Sequence, residues 1–299
     1  MNAEDEGVRL DALLPPEMAR RAEEIGVKKA ALGLVPMFSL AVLAGAFIAL
    51  GAAFATTVAA GSMAVKGPDG AAIASAAFPY GFTRLLAGLS FTLGLILVIV
   101  AGAELFTGNN LIAMAWASRR VSTAALLRNW VVVWVGNLVG SVGTAALVVL
   151  GGQYRFGGGA VGATALATAA TKVDYDPVRA FVLGILCNAL VCLAVWLTYS
   201  ARSTTDRILA IIPPIAAFVA MGFEHSVANM YFIPVGILIQ QFAAPDFWTS
   251  IGSSAGAYAA VDWAGFVRNI VPVTLGNIVG GSVLVGAVYW VVYLRRARA

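Results

Sequence analysis

Six stretches of this chain are apolar over about the twenty residues that a helix needs to cross the hydrocarbon core of a bilayer. They run roughly over 34–58, 84–116, 126–150, 178–200, 208–239 and 270–294. No other feature limits the fold as tightly. In a bilayer every backbone N–H and C=O must find a partner inside the protein, and apolar runs of this length achieve that as helices. Composition agrees: 60% of the residues are hydrophobic and 11% are charged, whereas a soluble domain is about half apolar and about a quarter charged. The expected fold class is an all-α integral membrane protein with six transmembrane helices.

Lys and Arg sort by connection. Arg9, Arg20, Arg21, Lys28 and Lys29 precede the first span; Arg119, Arg120 and Arg128 lie between spans two and three. Arg202 and Arg207 separate spans four and five, and Arg295, Arg296 and Arg298 close the chain. The alternate connections hold fewer: Lys66 and Arg84, then Arg155, Lys172 and Arg179, then Arg268. The positive-inside bias places both termini in the cytoplasm. Because the basic residues follow the loops rather than forming a stripe, no nucleic-acid partner is expected. Residues 1–30 read as a separate cytoplasmic N-terminal element ahead of a pore domain, 31–299. Within it Leu13, Leu14, Met18, Ala22 and Ile25 recur at helical spacing beneath charges, the pattern of an amphipathic surface helix; a solvated leader without a role is the alternative. It has no early apolar core of the kind a secretory leader carries. Cys187 and Cys192 sit in an apolar run, so no disulfide framework is implied. One His and two Cys cannot build a standard zinc or haem site, so no metal, cofactor or catalytic residue is assigned.

The chain also repeats itself. Span three begins RNWVVVWVGNLVG (Arg128–Gly140) and span six begins RNIVPVTLGNIVG (Arg268–Gly280). GAELFTGN (Gly102–Asn109) in span two pairs with GFEHSVAN (Gly222–Asn229) in span five. The halves, about 31–150 and 151–299, therefore read as repeats. Three spans each forces them to insert with opposite topology, which sets a pathway near the midplane. Spans one and four show no such match. Gly136 and Gly140, like Gly276 and Gly280, stand at small-xxx-small spacing and suit close helix contact. Asn137 and Asn277 would then hydrogen-bond between helices.

Spans two and five exceed one straight crossing. The turn-forming run Thr107–Asn110 marks a break in span two; in span five Gly222 precedes the Glu224-His225 pair, with Pro213-Pro214 before it and Pro234 after it. A half-helix starting at such a break aims its positive end at anions. For Glu104 and Glu224 the structural expectation is that each caps amides released at its break or pairs across to the other half. His225, the sole histidine, is either a neutral bridge between carbonyls or a titratable group on a pathway. Ser226 adjoins it, but helix neighbours point about 100° apart and make no dyad, so the chain is not read as an enzyme.

At these residues a resemblance emerges. GAELFTGN, GILCNALVCLAVW, GFEHSVANMYFIP and VTLGNIVGG, with LLPPEMARRAEEIGVKKA ahead of them, resemble the signature stretches of the formate/nitrite transporter family, closest to its formate-channel branch. The likeness covers nearly the whole chain. It implies an aquaporin-like 3+3 inverted repeat with broken helices two and five, and a homopentamer in the bacterial inner membrane. It implies transport of formate or relatives such as nitrite, acetate, lactate or hydrosulfide, passively or with a proton. Carried over, His225 is the central histidine with Glu224 before it. Leu105, Phe106 and Thr107 form the loop of span two, and Thr107 bonds His225. Phe91 and Leu95 constrict one side, while Phe106, Val191 and Phe218 surround the chamber. Asn188 faces the pore and Lys172 precedes span four. The N-terminal segment would gate the pore or dock a cytoplasmic enzyme. A neutral-solute pore of the aquaporin type is the alternative outside the family, though no Asn-Pro-Ala tripeptide occurs.

Overall fold

The computed structural model describes residues 12–61, 63–66, 72–76 and 78–295. Residues 1–11, with Arg9, and Arg296 and Arg298 lie outside the described residues, as does the side chain of Lys66.

A surface helix, α1 (Pro15–Ala30), leads into the first span, α2 (Leu34–Ala59). An antiparallel hairpin of β1 (Met63–Lys66) and β2 (Ala72–Ala76) follows, with Met63 opposite Ala76; it stands in a connection and leaves the membrane domain helical. Span two consists of α3 (Tyr80–Val100) and the short α4 (Phe106–Asn109) and α5 (Ile112–Ala117). Span three is α6 (Thr123–Leu150). After it come α7 (Ala160–Val173) and span four, α8 (Pro177–Ser200). Span five divides into α9 (Thr204–Met221) and α10 (Ser226–Phe242), with α11 (Pro245–Ser250) beyond. The last span, α12 (Trp263–Ile278), continues as π-helix over Val279–Ala287 and Trp290–Leu294. Among the described residues, six helices are long and apolar enough to cross a membrane.

The helix starts are set by local chemistry. Ser122, Asp176, Ser203 and Asp262 each accept a first-turn amide with their side chains, and Pro177 occupies the first helical position of α8. Proline does not end a span here: Pro213 and Pro214 lie inside α9 and Pro234 inside α10.

One close helix pair builds each half, α2 with α6 in the first and α8 with α12 in the second. A Cβ at Gly140 would fall 2.0 Å from the Val42 carbonyl oxygen, and one at Gly280 would fall 2.1 Å from that of Ile185. Only hydrogen at these positions lets the backbones approach, as the spacing predicted.

The N-terminal helix is not loose. Met18, Ala19 and Ala22 pack against Leu111, Met114, Trp196, Tyr199 and Leu294, while Leu14 is exposed at the helix start. Arg120 pairs with the buried Glu23 at 3.0 Å, and Arg128 Nη2 donates to the Ala30 and Leu32 carbonyls at 3.0 and 2.7 Å. Its apolar stripe thus faces the protein's own membrane helices.

Candidate functional site

Both interruptions begin with a glycine in the left-handed region. Gly102 (φ +81°) ends α3, and Gly222 (φ +75°) ends α9. Each is followed by a helix-closing bond, Ala103 N–H to Val98 O at 2.9 Å and Phe223 N–H to Phe218 O at 3.0 Å. The break in span two therefore starts earlier than the Thr107–Asn110 run, most of which lies in α4. The turn signal there was real in composition, but the left-handed position falls at Gly102.

Beyond each glycine the chain runs extended, and an asparagine from the third or sixth span meets it. Asn137 Oδ1 accepts the Phe106 amide at 2.9 Å; its Nδ2 donates to Ala41 O and Glu104 O at 2.7 and 2.9 Å. Asn277 Oδ1 accepts the Ser226 amide at 2.8 Å; its Nδ2 donates to Gly184 O and Glu224 O at 2.8 and 2.9 Å. An amide carries an acceptor and two donors, so one side chain can serve a freed N–H and two freed carbonyls. This corrects the expectation for the glutamates, which do not cap the breaks. Glu104 pairs with Lys29 at 2.6 Å and accepts from Asn109 Nδ2 at 2.7 Å. Glu224 pairs with Lys172 at 2.7 Å and accepts from Asn229 Nδ2 at 2.7 Å. Each carboxylate stays within its own half of the chain rather than reaching across. Asn129 and Asn269 complete the two sets, accepting from Asn109 and Asn229 at 2.9 and 2.7 Å and donating to the Lys29 and Lys172 carbonyls.

His225 stands where α10 begins. Its Nδ1 accepts the Ala228 amide at 3.0 Å, and its Nε2 lies 3.0 Å from Thr107 Oγ1. An Nδ1 that accepts cannot also carry a proton. The ring in this geometry is therefore the neutral tautomer with hydrogen on Nε2, donating to the threonine hydroxyl. That leaves the hydroxyl hydrogen of Thr107 free to point elsewhere.

A cavity of about 180 Å³ reaches the imidazole from the α7 side, with Arg84, Lys172, Phe91, Phe218 and Phe232 in its wall. The Phe218 ring stacks on His225 at 5.7 Å and meets Phe91 edge-on at 5.6 Å. Lys172 Nζ sits 5.3 Å over Phe232. On the α1 side a narrow pocket of about 30 Å³ is walled by Leu95 and Leu105, among others. Phe91, Phe218 and His225 line the first of these cavities, and Leu95 and Leu105 line the second. Four of the sequence-assigned residues line neither, among them Thr107, which is fully buried and bonded to His225. Phe106 turns its ring onto Trp130 at 6.4 Å, and Val191 is buried. Asn188 spends Nδ2 on Thr107 O, Asn110 Oδ1 and Asn277 O at 3.2, 3.0 and 2.7 Å, leaving its Oδ1 buried and unpartnered.

The sequence reading missed Arg84, which it used only as a charge at the edge of a span. Its Nε donates to Ala220 O at 3.2 Å and its Nη2 to Val219 O, so it covers the carbonyl end of α9 while facing the cavity. Cation at a helix C-terminus is a favourable pairing, but nothing in the linear sequence joins residues 84 and 219. Tyr175 also lines this cavity, in the loop after α7. Burial pushes its phenol up, with the Glu224 carboxylate adding to the effect, so it stays a neutral hydroxyl.

Known proteins share this arrangement across the chain. The sequence pattern of a family described as "Formate/nitrite transporter" matches residues 16–291. "Formate channel FocA" of Escherichia coli (strain K12) is 44% identical over 286 residues, covering 95% of this chain and 96% of the relative. "Formate channel FocA" of Haemophilus influenzae is 42% identical over 287 residues, covering 96% of each. A solved structure described as "Pentameric formate channel with formate bound" superposes with a TM-score of 0.78 at 44% identity, over 88% of this chain and 98% of that one. With the family pattern spanning nearly every described residue, this multi-pass membrane chain belongs to the formate/nitrite transporter family.

Proposed function

We propose that the chain forms a passive channel for formate and related small monovalent anions, assembled as a homopentamer in a bacterial inner membrane. The relatives named formate channels and the pentamer described with formate bound support both substrate and assembly. One observation carries the mechanism: the buried Thr107 bonds His225, and His225 lies on a cavity whose wall also holds two cations and the rings of Phe91 and Phe218.

An anion entering from the α7 side is drawn by Lys172 and Arg84. Apolar rings then strip hydrated ions and water, because a hydrophobic neck dewets. Stripping a charge of its water is costly unless donors replace it. The Thr107 hydroxyl hydrogen, left free by the bond to His225, supplies one such donor, and His225 Nε2–H becomes a second when that bond opens. Lending a whole proton requires the imidazolium form, and its Nδ1–H would face the Ala228 N–H. Proton-coupled passage therefore needs the cap on α10 to open, whereas hydrogen-bonded passage does not.

The matching bond sets around Asn137 and Asn277, and around Glu104 and Glu224, support reading the halves as an aquaporin-like inverted repeat with spans two and five broken. Lys29 on α1 and Lys172 on α7 hold equivalent places, which supports counting α1 with the first repeat. The basic bias of its connections supports cytoplasmic termini. Gating by the N-terminal segment draws support from α1 lining a cavity with Arg21, Ile25 and Lys28. Docking of a cytoplasmic enzyme draws support from the outward charges Arg20, Glu24 and Lys28.

The test is flux into proteoliposomes of formate, nitrite, acetate, lactate and hydrosulfide at two pH values. Formate is expected to pass fastest. Ready passage of glycerol with no monocarboxylate flux would overturn the reading.

A further inference from the structure

The spaces on the two sides of the Thr107–His225 bond differ in charge. On the α1 side, four cations (Arg21, Lys28, Lys29 and Arg207) and one carboxylate, Glu104, line a cavity of about 430 Å³. On the α7 side, two cations and one carboxylate line the smaller cavity. Glu104 is committed to Lys29 at 2.6 Å. Arg21 donates Nη1 to Tyr199 O at 3.2 Å, at the end of α8, and a carbonyl leaves its positive charge in place. Among the described residues, no ion pair involves Arg21, Lys28 or Arg207. Among the described residues, three lining cations are thus outside any ion pair at one mouth, against Arg84 alone at the other. The α1-side cavity shares Lys29, Val98, Ala103 and Tyr199 with the narrow pocket that leads to Leu95 and Leu105, so it opens onto the path to His225.

We infer that Arg21, Lys28 and Arg207 make the α1-side mouth an anion-collecting antechamber, giving the two faces of the channel different half-saturating concentrations for the same small carboxylate. The inference rests on the anion-channel reading above. Its physical basis is focusing: a cleft of one sign with low-dielectric walls enriches its counter-ion, about tenfold or more. The uncharged walls beside the three cations are apolar, Ile25, Leu32, Leu40 and Ile99 among them, so their field is less screened than on an open surface. The effect belongs to the mouth and not to the constriction. It therefore moves the concentration at which the mouth fills, and it fades with salt.

The experiment measures formate flux against concentration in right-side-out and inside-out membrane vesicles holding the full chain, at low and high ionic strength. For wild type, the half-saturating concentration on the α1 side is expected to be lower than on the α7 side, and to rise toward it at about 1 M salt, where the Debye length is about 3 Å. R21Q/K28Q/R207Q is expected to raise the α1-side value about tenfold and to leave the α7-side value unmoved. R21K/K28R/R207K retains the wild-type value if charge is what counts. K28Q alone, at an exposed side chain, shifts the α1-side value about twofold in the same direction by the same focusing, and it serves if the triple variant fails to assemble. Equal half-saturation at both faces of wild type, or a charge-conserving variant that shifts as far as the neutral one, would overturn the inference. Absence of formate flux from either face would instead overturn the channel reading itself.

Discussion

Thr107 and His225 are 118 residues apart in sequence and 3.0 Å apart in space, joined Oγ1 to Nε2 where the two halves of the chain meet. The bond sets the direction of the only donor the neutral ring can offer, because Nδ1 is held by the Ala228 amide.

Thr107→Val removes the acceptor for Nε2–H and, in the proposed pathway, a hydroxyl donor for the anion. An unpaired buried donor costs about 1–3 kcal/mol, and formate flux is expected to fall about tenfold if half of that appears in the barrier. Thr107→Ser restores the hydroxyl and most of the rate. Stopped-flow flux in proteoliposomes checks both; a valine variant as fast as wild type would remove the hydroxyl from the pathway.

His225→Asn separates the two jobs of the imidazole. Asparagine is a strong N-cap, so α10 keeps its start, while His225→Ala is expected to lose about 1 kcal/mol of stability. The asparagine variant loses any dependence of flux on imidazole titration. Melting in detergent and flux between pH 5 and 8 test the pair, and a pH profile identical to wild type would discard a role for the ring's titration.

Asn277→Leu strands the Ser226 amide and the Gly184 and Glu224 carbonyls together. At about 1 kcal/mol for each lost bond, a destabilisation of about 3 kcal/mol is expected, with Asn137→Leu losing a similar amount in the other half. Detergent-denaturation curves of the two variants should move in parallel. A loss in one and not the other would argue that the halves are not equivalent.

Lys172→Met leaves Glu224 charged in a site where the carboxylate side chain is 2% exposed. Breaking such a pair on one side costs about 3–5 kcal/mol, whereas removing both charges costs far less. Lys172→Met/Glu224→Gln is therefore expected to be more stable than Lys172→Met alone. Lys29→Met should lose less, because Lys29 is 26% exposed against 11% for Lys172. Thermal melts of the three variants decide the order.

The six spans and the close approach at the recurring Gly-Asn motifs were legible in the linear chain. Apolar run length, the spacing of Gly140 and Gly280, and the shared Arg-Asn and Gly-Asn patterns are local properties, and local patterns dictate which segments become membrane helices and which faces approach. The helical spacing of Met18 and Ala22 was readable for the same reason, whereas their docking against the protein's own helices was not.

Partner choice was decided only by the folded chain. Glutamate and asparagine both offer acceptors at a break, and nothing in the chain's order says which one will arrive. The close contact of α2 with α6 and of α8 with α12 brings Asn137 and Asn277 to the freed amides, and so leaves Glu104 and Glu224 to the lysines. The hold of Arg84 on α9 comes from the same source, a contact between segments distant in the chain. The left-handed turn at Gly102 and the tautomer of His225 rest on local bonds, Ala103 to Val98 and Ala228 to His225, whose geometry residue order alone does not fix. Periodicity assigns a residue to a face but cannot name the atom that will lie opposite it.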